Sequence, residues 1–523
     1  MAGNTEFNLI KRMEAEVRRG RISRRDFMSH ALAAGVSLSV ASGIWSTSAM
    51  AAPKKGGLFR LGSHDGNTSD THDPGTYLSF SIIQLAHTYR SYLTMITPEN
   101  GLGPDLAESW EASPDAKEWT FKIVKGASFH SGKPVTADDI IASMNHHRGE
   151  KSTSAAKALL KDVNEIVKND SHSVTFKLAA GNADLPWLMT DYHLAICPAK
   201  ADGTIDWQSG DGSGPYKIVN NDFGVNTKLV RHDGWHGQGA WFDEVEVTVL
   251  NDPNARQTAL VTGDVDAVTQ LELKTLSLLK RNPNIEIDNV PSGAAITMPM
   301  FCDQAPFNDV NVRTALKLAI DREEIVQKIA YGTAIPGNDA HVSPNMPYWA
   351  DLPQRKYDPD QAKSLLKKAG QENLTVSLST ADSVFSGAVD LCVLYAEQAK
   401  KAGININVVR EPNDGYYSDV WLKKPFCMVQ WGARPTPDVM LSLAYKDDAA
   451  WNESHWQNER FNVLLRQAKA ELQELARNDG GTIIPMFTNF VYARNKKVKH
   501  GPNLAASWQV DGARGASRWW FDS

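Results

Sequence analysis

Hydrophobic and polar residues follow two different periods along the chain. Strand-like alternation occurs at Leu58–Leu61, Glu118–Val124, His172–Ala180 and Phe242–Leu250, whereas apolar residues recur at helical spacing from Asp309 to Gly332. Strands and helices alternate in this way to the end of the chain. The pattern therefore predicts an α/β fold with mixed sheets.

One helix start can be placed from local chemistry. Thr136 precedes an apolar-periodic segment, and Asp139 follows it three positions later. A hydroxyl side chain and an acid at this spacing form a capping box, in which each side chain accepts a hydrogen bond from the backbone of the other. We expect a helix to begin directly after Thr136.

The first fifty residues differ from the rest. Basic residues are concentrated in Arg18–His30, an uncharged stretch of small and apolar residues follows at Ala31–Ala52, and Ala49-Met50-Ala51 fits a cleavage site. Arg24-Arg25 followed by Phe27 matches the twin-arginine export motif. Residues 1–51 are thus predicted to be a twin-arginine signal peptide that directs the protein to the periplasm. An ordinary basic leader that uses the general secretory route is the alternative.

Charge and cysteine content exclude several classes of protein. Residues 1–51 hold seven Lys/Arg and four Asp/Glu, so without them the net charge falls from −6 to −9. No basic tract remains that could bind nucleic acid. Zinc-finger and thioredoxin-like sites are unsupported, because no two cysteines form a CxxC pair. Buried free thiols are the preferred interpretation of the four cysteines, which are Cys197, Cys302, Cys392 and Cys427.

No catalytic constellation appears in the sequence. The serine-hydrolase elbow, the metalloprotease helix motif and the phosphate-binding loop are all missing, and His146-His147 point to different sides of a helix. We expect no catalytic residue, no metal site and no cofactor, and hence a binding protein. Two other classes stay open at this point: an exported hydrolase on a two-lobed scaffold, and a sensor that docks to a chemoreceptor.

A long segment carries a family resemblance. LAESWEASPDAKEWTFKIVKGASFHSGKPVTADDIIASM, from Leu106 to Met144, resembles the hallmark segment of the family 5 extracytoplasmic solute-binding proteins, the oligopeptide, dipeptide and nickel receptors of ABC importers. Further matches follow in family order over residues 56–521. They are Gly56–Gly62, Gly212–Ile218, Asn254–Val268, Ala305–Gly337 and Ile483–Phe487.

The resemblance implies a two-lobed periplasmic-binding-protein fold of type II, cluster C, with a hinge between the lobes. It places lobe I at about residues 52–289 plus 489–523, with an extra subdomain at 91–184, and lobe II at 290–488. It also implies a monomer that captures a small solute, a peptide or a peptide-like or anionic conjugate, and delivers it to the permease subunits of an ABC importer. Within the same resemblance, His130 belongs to a scaffold turn.

The chain departs from the family pattern in the second lobe. After Phe461–Leu472 the family has two helices joined by a turn, whereas this chain leaves room for only one helix before Thr482. The two helices are therefore expected to be fused, unless the segment carries a deletion.

A second departure concerns the ligand. Peptide receptors of the family carry Trp-x-Ala-Asp, and the aspartate binds the amino group of the peptide; the matching residues here are Trp431, Gly432, Ala433 and Arg434. A guanidinium cannot accept an ammonium, but it offers a planar fork of donors to a carboxylate or phosphate. Asp438 would either pair with Arg434 or take over part of the ammonium contact. Trp431 is expected to line the ligand site or to fill the core.

Other aromatic residues near this motif are candidate ligand contacts, because rings that flank a cleft suit a receptor for apolar or ring-bearing groups. They are Tyr416, Tyr417, Trp421 and Trp451. The identity of the ligand stays open among a short peptide, an opine-like conjugate, a glycoside and a metal chelate, since one fold accepts all of them.

Overall fold

The structure is a computed structural model. It describes residues 53–344, 346, 348–413, 415–434, 436–447, 449, 451–465 and 469–522. The predicted signal peptide, residues 1–51, lies outside these residues. Among the helices that are described, none has the length and apolar character needed to cross a membrane.

The first half of the chain alternates strands and short helices. Its strands are β1 Leu58–Ser63, β2 Thr94–Ile96, β3 Leu102–Pro104, β4 Ala107–Ala112, β5 Glu118–Ile123, β6 Val163–Asp170, β7 Ser173–Leu178, β8 Tyr216–Asp222, β9 Asn226–Arg231, β10 Glu244–Val249 and β11 Ala267–Val268. Its helices are α1 Phe80–Tyr89, α2 Ala137–His146, α3 Leu185–Leu188, α4 Pro253–Thr262 and α5 Leu276–Leu279, with 3₁₀ turns at Pro74–Thr76, Ala155–Leu160 and Leu273–Thr275.

The second half is richer in helices. Its strands are β12 Ile285–Pro299, β13 Ala334–Pro336, β14 Thr375–Thr380, β15 Asn405–Arg410, β16 Val429–Trp431, β17 Thr482–Asn495, β18 Val498–Lys499 and β19 Trp520–Phe521. Its helices are α6 Val310–Leu318, α7 Arg322–Lys328, α8 Pro359–Lys368, α9 Ala388–Lys400, α10 Tyr416–Asp419, α11 Pro437–Ala444, α12 Glu459–Leu464, α13 Lys469–Asn478, α14 Gln509–Gly512 and α15 Gly515–Arg518.

A nine-stranded sheet runs through both lobes in the order β16-β12-β17-β11-β1-β10-β9-β8, with β13 paired to β17. The strand β1 is parallel to β10 and β11, whereas β12 is antiparallel to β17 and β16. A separate parallel pair, β14 with β15, lies in the second lobe. The predicted α/β class with mixed sheets is confirmed.

Two long strands join the lobes. On one side of the pair β12 and β17, the core is built from residues between Ala295 and Phe487. On the other side, a separate core uses residues up to Ala294 and from Phe490 onward, together with Ala433. The register between β12 and β17 shifts between Val290 and Ala294, at the point where the two cores separate. The fold is two-lobed, and its hinge strands are β12 and β17; the lobe limits at 289/290 and 488/489, which fall at this register shift, stay a prediction.

The extra subdomain has a sheet and a core of its own. The antiparallel sheet β4-β5-β7-β6 packs with α2 around apolar residues that extend from Leu93 to Ile196, beyond the predicted limit of 184, and Val439 of α11 joins them. The predicted capping box is present, since Thr136 N donates to Asp139 Oδ2 at 2.8 Å. His130 lies in the turn that docks on the loop before β8, and its backbone N donates to Gly212 O at 2.7 Å.

One helical segment differs from the expectation. The segment 309–332 is broken into α6 and α7, because Asp321 caps the second helix by accepting a hydrogen bond from Glu324 N at 3.0 Å. Local capping thus overrides the longer periodic pattern there. Near the shortened segment, α12 ends at Leu464 and α13 begins at Lys469; residues 466–468 between them lie outside the described residues, so the expected fusion stays a prediction.

Candidate functional site in the cleft between the lobes

Arg434 lies directly after β16, the edge strand of the sheet in the second lobe. Its Nη1 donates to the carbonyl oxygens of Gly432 at 3.3 Å and Ala433 at 3.1 Å. Its Nε is buried and has no hydrogen-bond partner among the described residues. A guanidinium can bind an anion through two parallel hydrogen bonds along the edge that carries Nε. On this edge of Arg434, Nε is free of bonds to the described residues.

The first lobe covers Arg434 from the opposite side. A small cavity of about 40 Å³ lies between the lobes, and Arg434 and Ala433 line it together with Tyr192, Trp508 and Arg514 of the first lobe. A Cβ added at Gly432 would lie 3.0 Å from the Trp508 ring, so the lobes are in close contact here. A cavity of this size holds only a few water molecules, which means that a solute needs the lobes to separate before it can reach Arg434.

The first lobe places an acid within electrostatic reach of Arg434. Asp191 is bonded to His193 through Oδ1 and Nδ1 at 2.7 Å, and its pKa is lowered by His193 and by Arg434 despite burial. Asp438 lies in the first turn of α11, whose N-cap is Thr436. The pairing of Arg434 with Asp438 stays a prediction.

A buried carboxylate, which the sequence did not single out, organises the neighbouring tryptophans. Glu453 is 1% exposed. Its Oε2 accepts hydrogen bonds from Trp421 Nε1 and Trp431 Nε1, both at 2.9 Å, and its Oε1 accepts one from Thr297 Oγ1 at 2.9 Å. Two of the predicted ligand-contact tryptophans are thus fixed by one acid.

Three indole rings pack together beside this acid, and we call them the tryptophan cluster: Trp421, Trp431 and Trp451. Trp431 meets the other two edge to face, and Trp421 and Trp451 are tilted at 57° to each other. Their ring centroids are 5.7 to 6.3 Å apart. Trp431 is buried in the core of the second lobe, whereas Trp421 and Trp451 are partly exposed. Tyr417 extends the cluster, because its ring centroid lies 6.0 Å from that of Trp421 and its side chain is 39% exposed.

Tyr416 is placed differently from its neighbour. Its ring lies in the core of the second lobe, and its hydroxyl donates toward the carbonyl oxygens of Met428 at 2.7 Å and Ser379 at 3.1 Å. Of the predicted contacts, therefore, Tyr417, Trp421 and Trp451 are partly exposed around one surface, Arg434 lies along the strand from it, and Tyr416 holds the lobe together.

Burial dominates the electrostatics of Glu453. Desolvation raises the pKa of Glu453 to about 7, although the three hydrogen bonds that it accepts favour the carboxylate. His341 Nε2 lies 3.9 Å from Glu453 Oε1, but burial lowers the pKa of His341 to about 3, so this ring is neutral. No lysine or arginine lies within 4.0 Å of this carboxylate in the part of the chain that the structure covers.

A second acid reaches the same region from the first lobe. Asp65 follows β1, and its Oδ2 accepts a hydrogen bond from Phe80 N at 3.0 Å. Water reaches Asp65, yet surrounding protein atoms raise its pKa to about 6. The pKa of Tyr417 is also raised, by burial first and then by the carboxylates of Asp65 and Glu453. Tyr417 is thus within electrostatic reach of one acid from each lobe.

Other cavities do not coincide with these residues. A polar surface cavity of about 710 Å³ lies on the second lobe, where residues such as Asp303, Arg313 and Asp479 line it, and none of the predicted contacts is among its lining residues. The described residues contain no group of three or more His, Cys, Asp or Glu that could hold a metal ion. The cleft is the place where both lobes contribute charged and aromatic side chains, so it is the candidate ligand site.

Comparisons with known proteins agree with this architecture. Residues 101–452 match the family model described as bacterial extracellular solute-binding proteins, family 5 Middle. A probable peptide ABC transporter periplasmic-binding protein of Sinorhizobium fredii is 29% identical over 425 residues, which cover 75% of this chain and 76% of the relative. The nickel-binding periplasmic protein of Escherichia coli is 28% identical over 283 residues, covering 51% of this chain and 53% of that protein.

Solved structures share the fold. The periplasmic binding protein DppA of Helicobacter pylori, in complex with the peptide STSA, gives a TM-score of 0.78 at 20% identity and covers 90% of this chain and 99% of its own. The binding protein AgaA of A. tumefaciens R10, in complex with agropinic acid, gives 0.78 at 21% identity and covers 89% and 99%. The chain therefore belongs to the family 5 bacterial extracellular solute-binding proteins, the substrate-binding components of ABC importers.

Proposed function

We propose that the chain captures a small solute with an anionic group, a peptide or a peptide-like conjugate, and that Arg434 binds this group. One observation carries the proposal: Nε of Arg434 is buried at the contact between the lobes and makes no hydrogen bond to any residue that the structure describes. A buried donor without a partner is costly. A carboxylate or phosphate that enters when the lobes open would satisfy it by a charge-assisted bond, which is strong in such a setting.

The relatives support a peptide-like solute without fixing it. One relative is named for peptide transport, and one structural neighbour was solved with a peptide and another with agropinic acid. Arg434 replaces the acid that binds a peptide amino group in the family's peptide receptors, so an anionic group is favoured at this position. Closure of two lobes about β12 and β17 would then hold the solute until the permease receives it.

We infer that the protein acts as a monomer in the periplasm and performs no catalysis of its own. Native mass spectrometry of the protein purified from its host should find a monomer with a small solute bound at one per chain, and the solute should leave unchanged after incubation. Small-angle scattering with that solute should show a more compact particle than without it. Identical scattering curves at saturation, or conversion of the solute, would contradict the proposal.

We also propose export by the twin-arginine route. Recognition of this signal reads the paired guanidinium groups of Arg24 and Arg25. Replacing both arginines with lysine keeps the positive charge and should leave precursor in the cytoplasm, as measured by fractionation. An unchanged yield in the periplasm would indicate the general secretory route.

A further inference from the structure

Asp191 and Arg434 approach the same small cavity from opposite lobes. Asp191, Tyr192 and Arg434 are among the residues that line this cavity of about 40 Å³. Burial by itself would raise the pKa of Asp191, but His193 and Arg434 hold this pKa below its usual range. Asp191 is therefore a carboxylate, and it can neutralise the guanidinium of Arg434 unless another cation takes up its charge.

The side chain of His193 is held between two hydrogen-bond acceptors. Its Nδ1 lies 2.7 Å from Asp191 Oδ1, and its Nε2 lies 3.0 Å from the backbone oxygen of Tyr77. A carboxylate and a carbonyl oxygen can only accept, so each ring nitrogen has to donate an N–H. A neutral imidazole carries only one N–H. The geometry thus indicates an imidazolium at His193, which is 3% exposed.

Packing and hydrogen bonds fix this ring beside the cavity. Its centroid is 4.1 Å from that of Tyr192, and the backbone N of His193 also donates to Asp191 Oδ1, at 3.0 Å. A buried charge is costly unless it is paired and hydrogen-bonded, and the pair of Asp191 and His193 meets both conditions. Two further histidines near the pair, His87 of α1 and His147 of α2, are neutral, because burial lowers the pKa of each.

We propose that His193 is a positioning residue for solute binding: as an imidazolium it pairs with Asp191 and thereby leaves the charge of Arg434 to an anionic group of the solute. With His193 protonated, the three side chains sum to one positive charge, which remains at Arg434. With a neutral side chain at residue 193, Asp191 and Arg434 would cancel each other, and no charge would be left for the solute. His193 has this role only if Arg434 binds the solute, so this inference rests on the proposed function.

The protonation of His193 can be measured without a solute. In nitrogen NMR spectra of protein labelled at histidine, an N–H nitrogen and a bare imidazole nitrogen resonate in well-separated regions. The signals that disappear in His193→Gln belong to His193, and both should be N–H nitrogens at neutral pH. In Asp191→Asn the ring has no counter-charge, and one of these nitrogens should lose its proton. A bare nitrogen at His193 in the wild type would overturn the proposal.

A double-mutant cycle tests whether Asp191 turns to Arg434 when residue 193 is neutral. Glutamine keeps an N–H donor but carries no charge, so in His193→Gln the acid should pair with Arg434. Arg434→Ala should then lower the equilibrium constant of folding at least about tenfold more in the His193→Gln background than in the wild type. His172→Gln, at a partly exposed histidine of the extra subdomain, is the matched control, and its effect should simply add to that of Arg434→Ala.

The outcomes separate this role from the proposed function, because neither measurement uses a solute. Additive effects of His193→Gln and Arg434→Ala would overturn the role of His193 and leave anion binding by Arg434 standing. If His193→Gln does not fold, the signals that change in Asp191→Asn identify His193 and decide its protonation. A protonated His193 and a coupled cycle, together with unchanged affinity of Arg434→Ala for the co-purified solute, would instead contradict the proposed function and leave the ion pair standing.

Discussion

Glu453 and Arg434 are two ionisable residues of the second lobe, and they differ in how fully the chain supplies their hydrogen bonds. Glu453 is buried, and Thr297, Trp421 and Trp431 supply three hydrogen bonds to its carboxylate. In the described part of the chain, Arg434 donates from Nη1 to two adjacent carbonyl oxygens, and its buried Nε has no partner there. The carboxylate of Glu453 is bonded by the chain and therefore stabilises the fold. The guanidinium of Arg434 keeps an unused donor where the two lobes meet, and this donor is available to a solute.

The largest expected effect follows from removing the satisfied charge. Glu453→Ala would leave two indole N–H groups and one hydroxyl buried without an acceptor, beside a new cavity. We expect the free energy of unfolding to fall by about 3–5 kcal/mol, measured by denaturant titration. Glu118→Ala, at an exposed glutamate of β5, is the matched control and should have little effect. A loss below about 1 kcal/mol at residue 453 would mean that Glu453 does not anchor the cluster.

A smaller effect should appear in the dependence of stability on pH. The pKa of Glu453 is raised from 4.5 in the unfolded chain to about 7 in the fold. Its contribution is therefore fully present below pH 4.5 and is lost as the pH rises to about 7, because the unfolded state releases the proton first. The loss is on the order of 3 kcal/mol.

Glu453→Gln cannot lose this proton, so its stability should fall less than that of the wild type over the same range. The difference between the two proteins isolates Glu453 from other groups, and thermal melts at several pH values measure it. The facing titratable groups, His341, Tyr417 and Tyr445, are unchanged in the variant. Parallel curves for the two proteins would contradict the raised pKa of Glu453.

The sequence predicts the parts of the molecule that depend on neighbours along the chain. Alternation predicts β5 and β7, and the spacing of Thr136 and Asp139 predicts the start of α2, because each pattern is complete within a few residues. The resemblance adds the two lobes and brings Arg434 to attention. The sequence does not predict the break between α6 and α7, because the periodic apolar pattern continues across Asp321. The helix α6 ends before Asp321, and the side chain of Asp321 caps α7.

The residues that organise the cleft are not predicted from the sequence, for a different reason. Glu453 receives its hydrogen bonds from Thr297, Trp421 and Trp431, and its role exists only once β12, β16 and the segment after α11 have come together. A lone acid between tryptophans in AAWNESHW was the available signal for Glu453, since an acid in so aromatic a segment needs partners.

The division between a structural charge and a ligand-binding charge can be tested most directly at Arg434. Titration of the solute that co-purifies from the host, on wild type, Arg434→Ala and Arg434→Lys, should show a loss of roughly thirtyfold or more for alanine, since losing one member of a buried charge pair costs on the order of 2–5 kcal/mol. Lysine keeps the charge without the fork, so an intermediate loss is expected. Melting curves without solute should fall only slightly, because Asp191 keeps its hydrogen bond to His193 and the bonds of Arg434 to Gly432 and Ala433 are local. Native-like affinity in Arg434→Ala, together with a large drop in its melting temperature, would show instead that Arg434 serves the fold.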